Sequence, residues 1–254
     1  MAELVYAHAL GACGAILEGS SPSLSTKKDL SPGRFFVYPK VSSHLVHYFS
    51  MTAWTPAEKK ILRTLSTPAK IQDFVNSLKY RVQGNNETSN SPRRVLQECA
   101  AQCFEGAVFA AAALRFHGLE PLILDLESVE KDWDHVVALF KVNGCWGAIS
   151  KTNHGVLRYR EPIYRTIREL VMSYFHEYFL QNSRAKTLRT YSRPVDLSRF
   201  DKQGWETSEG DIWYIAMYLS GLPHTSILTR SQISTLRKAD PIEAKMTSFT
   251  EWPE

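Results

Sequence analysis

The sequence predicts an α+β fold of short helices and antiparallel strands, and three observations carry that reading. Threonine–proline pairs open two helices at Thr55–Pro56 and Thr67–Pro68. A run rich in alanine and leucine, RRVLQECAAQCFEGAVFAAAALRFHG, is helical in character up to Gly118. Two strand-like runs then flank Asn143–Gly144, a strong signal for a type I′ hairpin.

The elements follow in order from Met51. In WTPAEKKILRTLS, Thr55 is the N-cap and Pro56 stands at the first helical position, where its missing N–H costs nothing; Glu58 at N3 completes a capping box. TPAKIQDFVNSLKY repeats the device and sets Ile71, Phe74, Val75 and Leu78 on one face. VQGNNETSNSP is a polar loop. The long run after it reads as one helical stretch, with Cys103 within it or at its start and Gly118 at C′. PLILDL is short, apolar and branched, as a buried strand is, and HVVALFKVNGCWGAI holds the hairpin. TIRELVMSYFHEYF begins with the capping-box pair Thr166 and Glu169 and stacks Leu170, Tyr174, Phe175 and Tyr178 at helical intervals, as a core stripe does. YSRPVDLSRF reads as an extended connector and GDIWYIAMYLSGL as an amphipathic helix ending near Gly221. Roughly the last twenty residues read as weakly ordered.

Residues 1–50 show no clean period and read as a non-native or disordered extension. The run Glu18–Thr26, EGSSPSLST, can be written in codons as GAA GGT TCG AGT CCT TCC CTT TCC ACC, which resembles the T-arm and acceptor strand of a transfer RNA gene. Residues 1–28 are therefore expected to be a translated tRNA gene, with the true start near Met51 and a single domain over 51–254. The alternative is a genuine mobile arm.

Composition bounds the function. A chain of 254 residues buries enough apolar surface to fold without disulfide staples. Its 44% hydrophobic and 22% charged residues are ordinary soluble values, and no run is long enough to span a bilayer, so no membrane partner is expected. The formal charge of +4 is small and the basic residues are interleaved with acids, which argues against a nucleic-acid partner. The cluster Arg158, Arg160, Arg165 and Arg168 reads as a solvated face. Cysteines at 13, 99, 103 and 145 have no framework spacing and follow no recognisable signal peptide, which favours free thiols in a reducing cytoplasm. Cys99 and Cys103 lie four apart, but no further pair completes a zinc site, so neither metal nor cofactor is expected.

The residues that could carry chemistry are Cys103, His135 and Ser150. With a two-residue turn Val142 pairs with Cys145, His135 falls opposite Thr152, and Ser150 lies one diagonal step away on the same face. Val137 and Leu139 share that face. If the helix packed on them is the one carrying Cys103, thiol and imidazole meet. A thiol near a helix N-terminus beside an imidazolium becomes a nucleophile, the histidine serves as base and proton donor, and a third group orients it. Ser150, or less directly Thr152 or Asn153, would be that group. Gln97 or Gln102 could donate to an oxyanion, and nothing in the sequence selects between them.

From about Pro92 to Thr152 the chain resembles the transglutaminase-like superfamily. RRVLQECAAQCFEGAVFAAAALRFHGLEPLILDL looks like its nucleophile helix and following strand, and DHVVALFKVNGCWGAIS like its histidine strand and the tryptophan before its third catalytic residue. The resemblance implies a papain-like core, with the nucleophile helix packed on a small antiparallel sheet, extra C-terminal helices, Cys103 as nucleophile and His135 as base. Two departures stand out: Ala101 where many members have glycine, and Ser150 where most have aspartate. The expected activity is a thiol-dependent attack on an amide or related acyl group, through an acyl-enzyme passed to water or an amine. A peptide or protein substrate is the expected partner. Ser150 keeps a second reading open, a catalytically silent cleft that binds a peptide or protein. A third is a structural component whose aromatic helix, Tyr174 to Phe179, docks on a partner.

Overall fold

Each threonine–proline pair starts a helix. The structure, a computed structural model that describes residues 53–82 and 87–251, has α1 over Pro56–Thr64 and α2 over Pro68–Ser77. Thr55 Oγ1 accepts the Glu58 N–H and the Glu58 carboxylate accepts the Thr55 N–H, so two donors at the head of α1 are paired. The tRNA-like run and the expected start at Met51 lie outside the described residues. A two-residue strand, β1 (Lys79–Tyr80), follows α2.

The long helical run is broken, a correction to the single stretch expected. It comprises α3 (Pro92–Glu98), β2 (Ala100–Ala101) and α4 (Cys103–Phe116). Cys99 turns the chain left-handed at φ 47°, and β2 pairs in parallel with β1. Helix propensity is a weak prior, and the backbone bonds Lys79 N–Cys99 O and Arg81 N–Ala101 O override it. Gln102 and Glu105 form a new capping box that restarts the helix at Cys103. The fully buried Glu105 carboxylate accepts from Gln102 N, Asn90 N, Thr88 Oγ1 and Arg81 Nε, so four donors compensate its loss of water. Gly118, at φ 82°, ends α4.

The sheet is assembled from β3 (Leu122–Glu127), β4 (His135–Val142), β5 (Cys145–Ile149) and β6 (Arg160–Tyr164), then α5 (Ile167–Phe175) intervenes before β7 (Thr190–Ser192) and β8 (Val195–Asp196). A 3-10 turn (Leu197–Gln203), α6 (Trp213–Ser220), β9 (His224–Ser226), α7 (Arg230–Ser234) and α8 (Pro241–Thr247) complete the described chain. Strand order is β6-β5-β4-β3-β7-β9, with β8 also on β3, and every pairing in this sheet is antiparallel. The hairpin has the expected register, Val142 opposite Cys145, with Asn143 and Gly144 both at positive φ. The segment read as a connector is extended but supplies β7 and β8, because the free side of β3 needs partners. The C-terminal residues read as weakly ordered hold a short helix, α8, opened by Asp240–Pro241 and Glu243, the same kind of signature that opens α1.

Residues alternate across the strands into two cores. Ile123, Val136, Ala138, Phe140 and Ile149 join α1–α4 on one face, and the four alanines Ala110–Ala113 are fully buried there. Leu124, Leu126, Val137, Leu139 and Ala148 join Leu170, Val171, Tyr174 and Phe175 of α5 on the other, as the stripe predicted. Val137 and Leu139 therefore face α5, not the helix carrying Cys103, which corrects the expected packing. Among the described residues no helix is long and apolar enough to cross a membrane.

Candidate functional site

His135 opens β4, and Ser150 stands one residue beyond the end of β5, where the two strands stop pairing. Both are buried, and His135 Nε2 lies 2.7 Å from Ser150 Oγ. A hydroxyl has one proton to give, and Ser150 gives it to the Leu157 carbonyl. Its oxygen is therefore the acceptor toward the ring, which puts the imidazole proton on Nε2 and leaves the lone pair on Nδ1. Of the three residues weighed, Ser150 is the one whose side chain meets the ring, and Thr152 Oγ1 accepts the His154 N–H.

Ser150 is fixed by a residue the sequence reading missed. Gln72, buried on α2, accepts the Ser150 N–H and donates to the Ser150 carbonyl, both at 2.8 Å, and donates as well to Asn76 Oδ1. One side-chain amide thus does what a neighbouring strand would do for an unpaired residue. A signal existed: Gln72 sits three before Val75 on the apolar side of its helix, and a buried polar group needs partners from elsewhere.

Cys103 is the first residue of α4. Its thiol is directed at Gln102 Oε1, 3.2 Å away, and the backbone N–H groups of Phe104 and of Val136, the residue next to His135, lie near enough to favour the thiolate. The sulfur lies near the backbone of Val136, one residue from His135, while Val137 and Leu139 face α5. Among the described residues no hydrogen bond joins the thiol to His135. Close approach of α4 to the Ser150 segment depends on Gly106, where a Cβ would stand 2.4 Å from Lys151 Cβ.

The electrostatics oppose the resting ion pair expected from the sequence. Cys103 keeps some exposed surface, yet packing around the sulfur, with Asp125 and Glu105 nearby, pushes the thiol up to about 11. An exposed helix N-terminus offers up to about 1 kcal/mol to an anion. The rise from 9.0 corresponds to about 3 kcal/mol, so desolvation and carboxylates win. Burial, with His154 and Arg160 nearby, brings the His135 imidazole down to about 4. At neutral pH both partners are uncharged.

The remaining candidates separate cleanly. Gln102 caps α4 beside the thiol through Phe104 N–H, whereas Gln97 lies exposed on α3. The left-handed turn at Cys99 takes Cys99 and Cys103 off a common helix, and the described residues contain no group of three or more metal-ligating side chains. Arg160, expected on a solvated face, is largely covered: it pairs with Glu177 at 2.8 Å, donates to Ser173 and lies over the Tyr174 ring. Cys145 is half-buried on β5. No family model matches this chain, and no curated protein matches it either.

Proposed function

We propose that the protein is a thiol-dependent amide hydrolase or acyltransferase built on a papain-like, transglutaminase-like core, working on a peptide or protein in the cytoplasm; the disulfide-bonded state of Cys99 departs from the free thiols expected. The observation that carries the reading is the 2.7 Å contact of His135 Nε2 with Ser150 Oγ, whose proton is committed elsewhere. It leaves Nδ1 as a base on the residue next to Val136, whose backbone lies near the sulfur.

The neutral pair favours general-base chemistry over attack by a preformed thiolate. As Sγ of Cys103 bonds to the substrate carbonyl carbon, the S–H bond breaks and its proton turns from Gln102 Oε1 to Nδ1 of His135. The imidazolium then protonates the departing amine, the carbon–nitrogen bond breaks, and a thioester remains on Cys103. Water or a second amine attacks it with Nδ1 again taking the proton, and the thiol is regenerated. Ser150 accepts the Nε2–H bond throughout but brings no negative charge. In the serine-protease template, loss of the correct tautomer costs about 10⁴ in rate. Here the tautomer is retained, so the penalty is confined to the missing charge.

A second reading, a silent cleft that binds a peptide or protein, is favoured by one observation: the resting thiol donates its hydrogen bond to Gln102 Oε1 and not to His135. A p-nitrophenyl acyl ester distinguishes the two. An enzyme releases a stoichiometric burst of nitrophenolate and carries the acyl group on Cys103 by mass spectrometry, with the burst lost in Cys103→Ala and slowed in His135→Ala. A wild-type protein with no burst and no acylated Cys103 leaves the binding reading standing alone.

A further inference from the structure

The carboxylate missing from position 150 has a structural successor. Ser150 can orient His135 only if the acceptor of its own proton stays in place, and that acceptor is a backbone carbonyl in a loop. Leu157 holds the carbonyl at φ 59°, in the left-handed region that a branched side chain enters at a cost. Such a conformation persists only when something outside the loop enforces it. The Leu157 N–H donates to Glu177 Oε2 at 2.7 Å. Glu177 is itself held, since its Oε2 pairs with Arg160 at 2.8 Å, and Arg160 is anchored by Ser173 Oγ and O and by the Tyr174 ring.

We propose that Glu177 is a positioning residue for His135, acting through the Leu157 backbone and the Ser150 hydroxyl. This rests on the reading of Cys103 and His135 as the reacting pair and names the part that replaces the usual aspartate. Glu177 grips the N–H of Leu157, the Leu157 carbonyl takes the Ser150 proton, and Ser150 Oγ is left as acceptor for Nε2–H. Glu177 acts by geometry and not by charge, because Arg160 neutralises it and depresses protonation of His135. The segment from Gly155 through Glu177, outside the part of the chain that resembles the transglutaminase-like core, thereby supplies the orienting shell.

The test is the tautomer of His135 in the full chain, read by nitrogen NMR on ¹⁵N-histidine-labelled protein and assigned by signal loss in His135→Gln. Wild type shows one species, protonated on Nε2 with Nδ1 bare. Glu177→Gln, which keeps an acceptor oxygen without charge, preserves that species. Glu177→Leu loses it to an averaged mixture of both tautomers, and the acyl-ester burst slows with it. Should Glu177→Leu not fold, Glu177→Asp, one methylene too short, produces the same loss. A folded Glu177→Leu or Glu177→Asp with the wild-type signal unchanged overturns the inference, as does a wild-type ring protonated on Nδ1. The tautomer needs no thiol, so a wild-type protein with the expected ring but no burst identifies failure of the thiol chemistry instead.

Discussion

Ser150→Ala is the sharpest perturbation of this site because Gln72 holds the Ser150 backbone, leaving the substitution to remove only the hydroxyl. Two groups lose their partners. The Nε2–H of buried His135 loses its acceptor, and the half-buried Leu157 carbonyl loses its donor. A buried polar group left unpaired costs about 1–3 kcal/mol. The histidine belongs in the middle of that range and the carbonyl at its lower end, so the expected loss of stability is about 2–4 kcal/mol. Urea unfolding measures it as a fall in midpoint with unchanged slope. Chemistry should fail alongside stability: without the acceptor the ring samples both tautomers, and the Cys103 acylation burst drops toward that of His135→Ala. A stability change under about 0.5 kcal/mol, within the range of an ordinary surface substitution, refutes the reasoning that this hydroxyl is committed at both ends.

Stability should also depend on pH through His135. Its pKa falls from 6.5 to about 4 on folding, so the unfolded chain binds the proton first as pH drops. The contribution is fully present above pH 6.5 and is lost on the way down to about 4, up to roughly 3 kcal/mol at 1.36 kcal/mol per unit. Urea midpoints at neutral and mildly acidic pH test this: His135→Gln should flatten that slope, and parallel slopes would sink the idea. Iodoacetamide labelling of Cys103 should climb between pH 9 and about 11 with no acidic plateau, whereas a plateau near neutrality would mean a preformed thiolate. Gly106→Ala should destabilise by about 1–3 kcal/mol, because overpacking against Lys151 exceeds the gain of up to about 1 kcal/mol in helix propensity. An unchanged or raised melting temperature would contradict that contact. Glu105→Leu takes the acceptor from the backbone N–H groups of Asn90 and Gln102, while Arg81 keeps Glu98, and should cost about 2–4 kcal/mol, measured by denaturant unfolding; a near-neutral result would show that water replaces the carboxylate.

Much of this molecule was legible where a feature depends on neighbours in the chain. The capping boxes at Thr55 and Thr166, the Asn143–Gly144 turn with its register, and the stripe Leu170, Tyr174 and Phe175 follow from hydrogen bonds and periods spanning a few residues, whereas Tyr178, read on the same stripe, lies beyond the helix end at Phe175. The same locality made Cys103, His135 and Ser150 findable as candidates, because one turn fixes which residues of a hairpin share a face. It also set the error in the long helical run. Nothing within RRVLQECAAQCFEG reveals that Lys79 and Tyr80 will pair with Ala100 and Ala101 and break the helix.

Tertiary structure alone decided what surrounds the candidates. Gln72 reaches Ser150 across 78 positions and Glu177 reaches Leu157 across 20, contacts for which no local pattern exists. The neutral state of the thiol and imidazole is likewise not a property of either residue, because desolvation sums over every atom packed around a group and long-range charges add to it. The sequence by itself determined the local caps, the hairpin register and which side chains near it stand as candidates. The folded chain determined that α4 and α5 take opposite faces of the sheet, that the Ser150 hydroxyl bridges His135 and the Leu157 carbonyl, and that the Cys103 thiol is directed at Gln102.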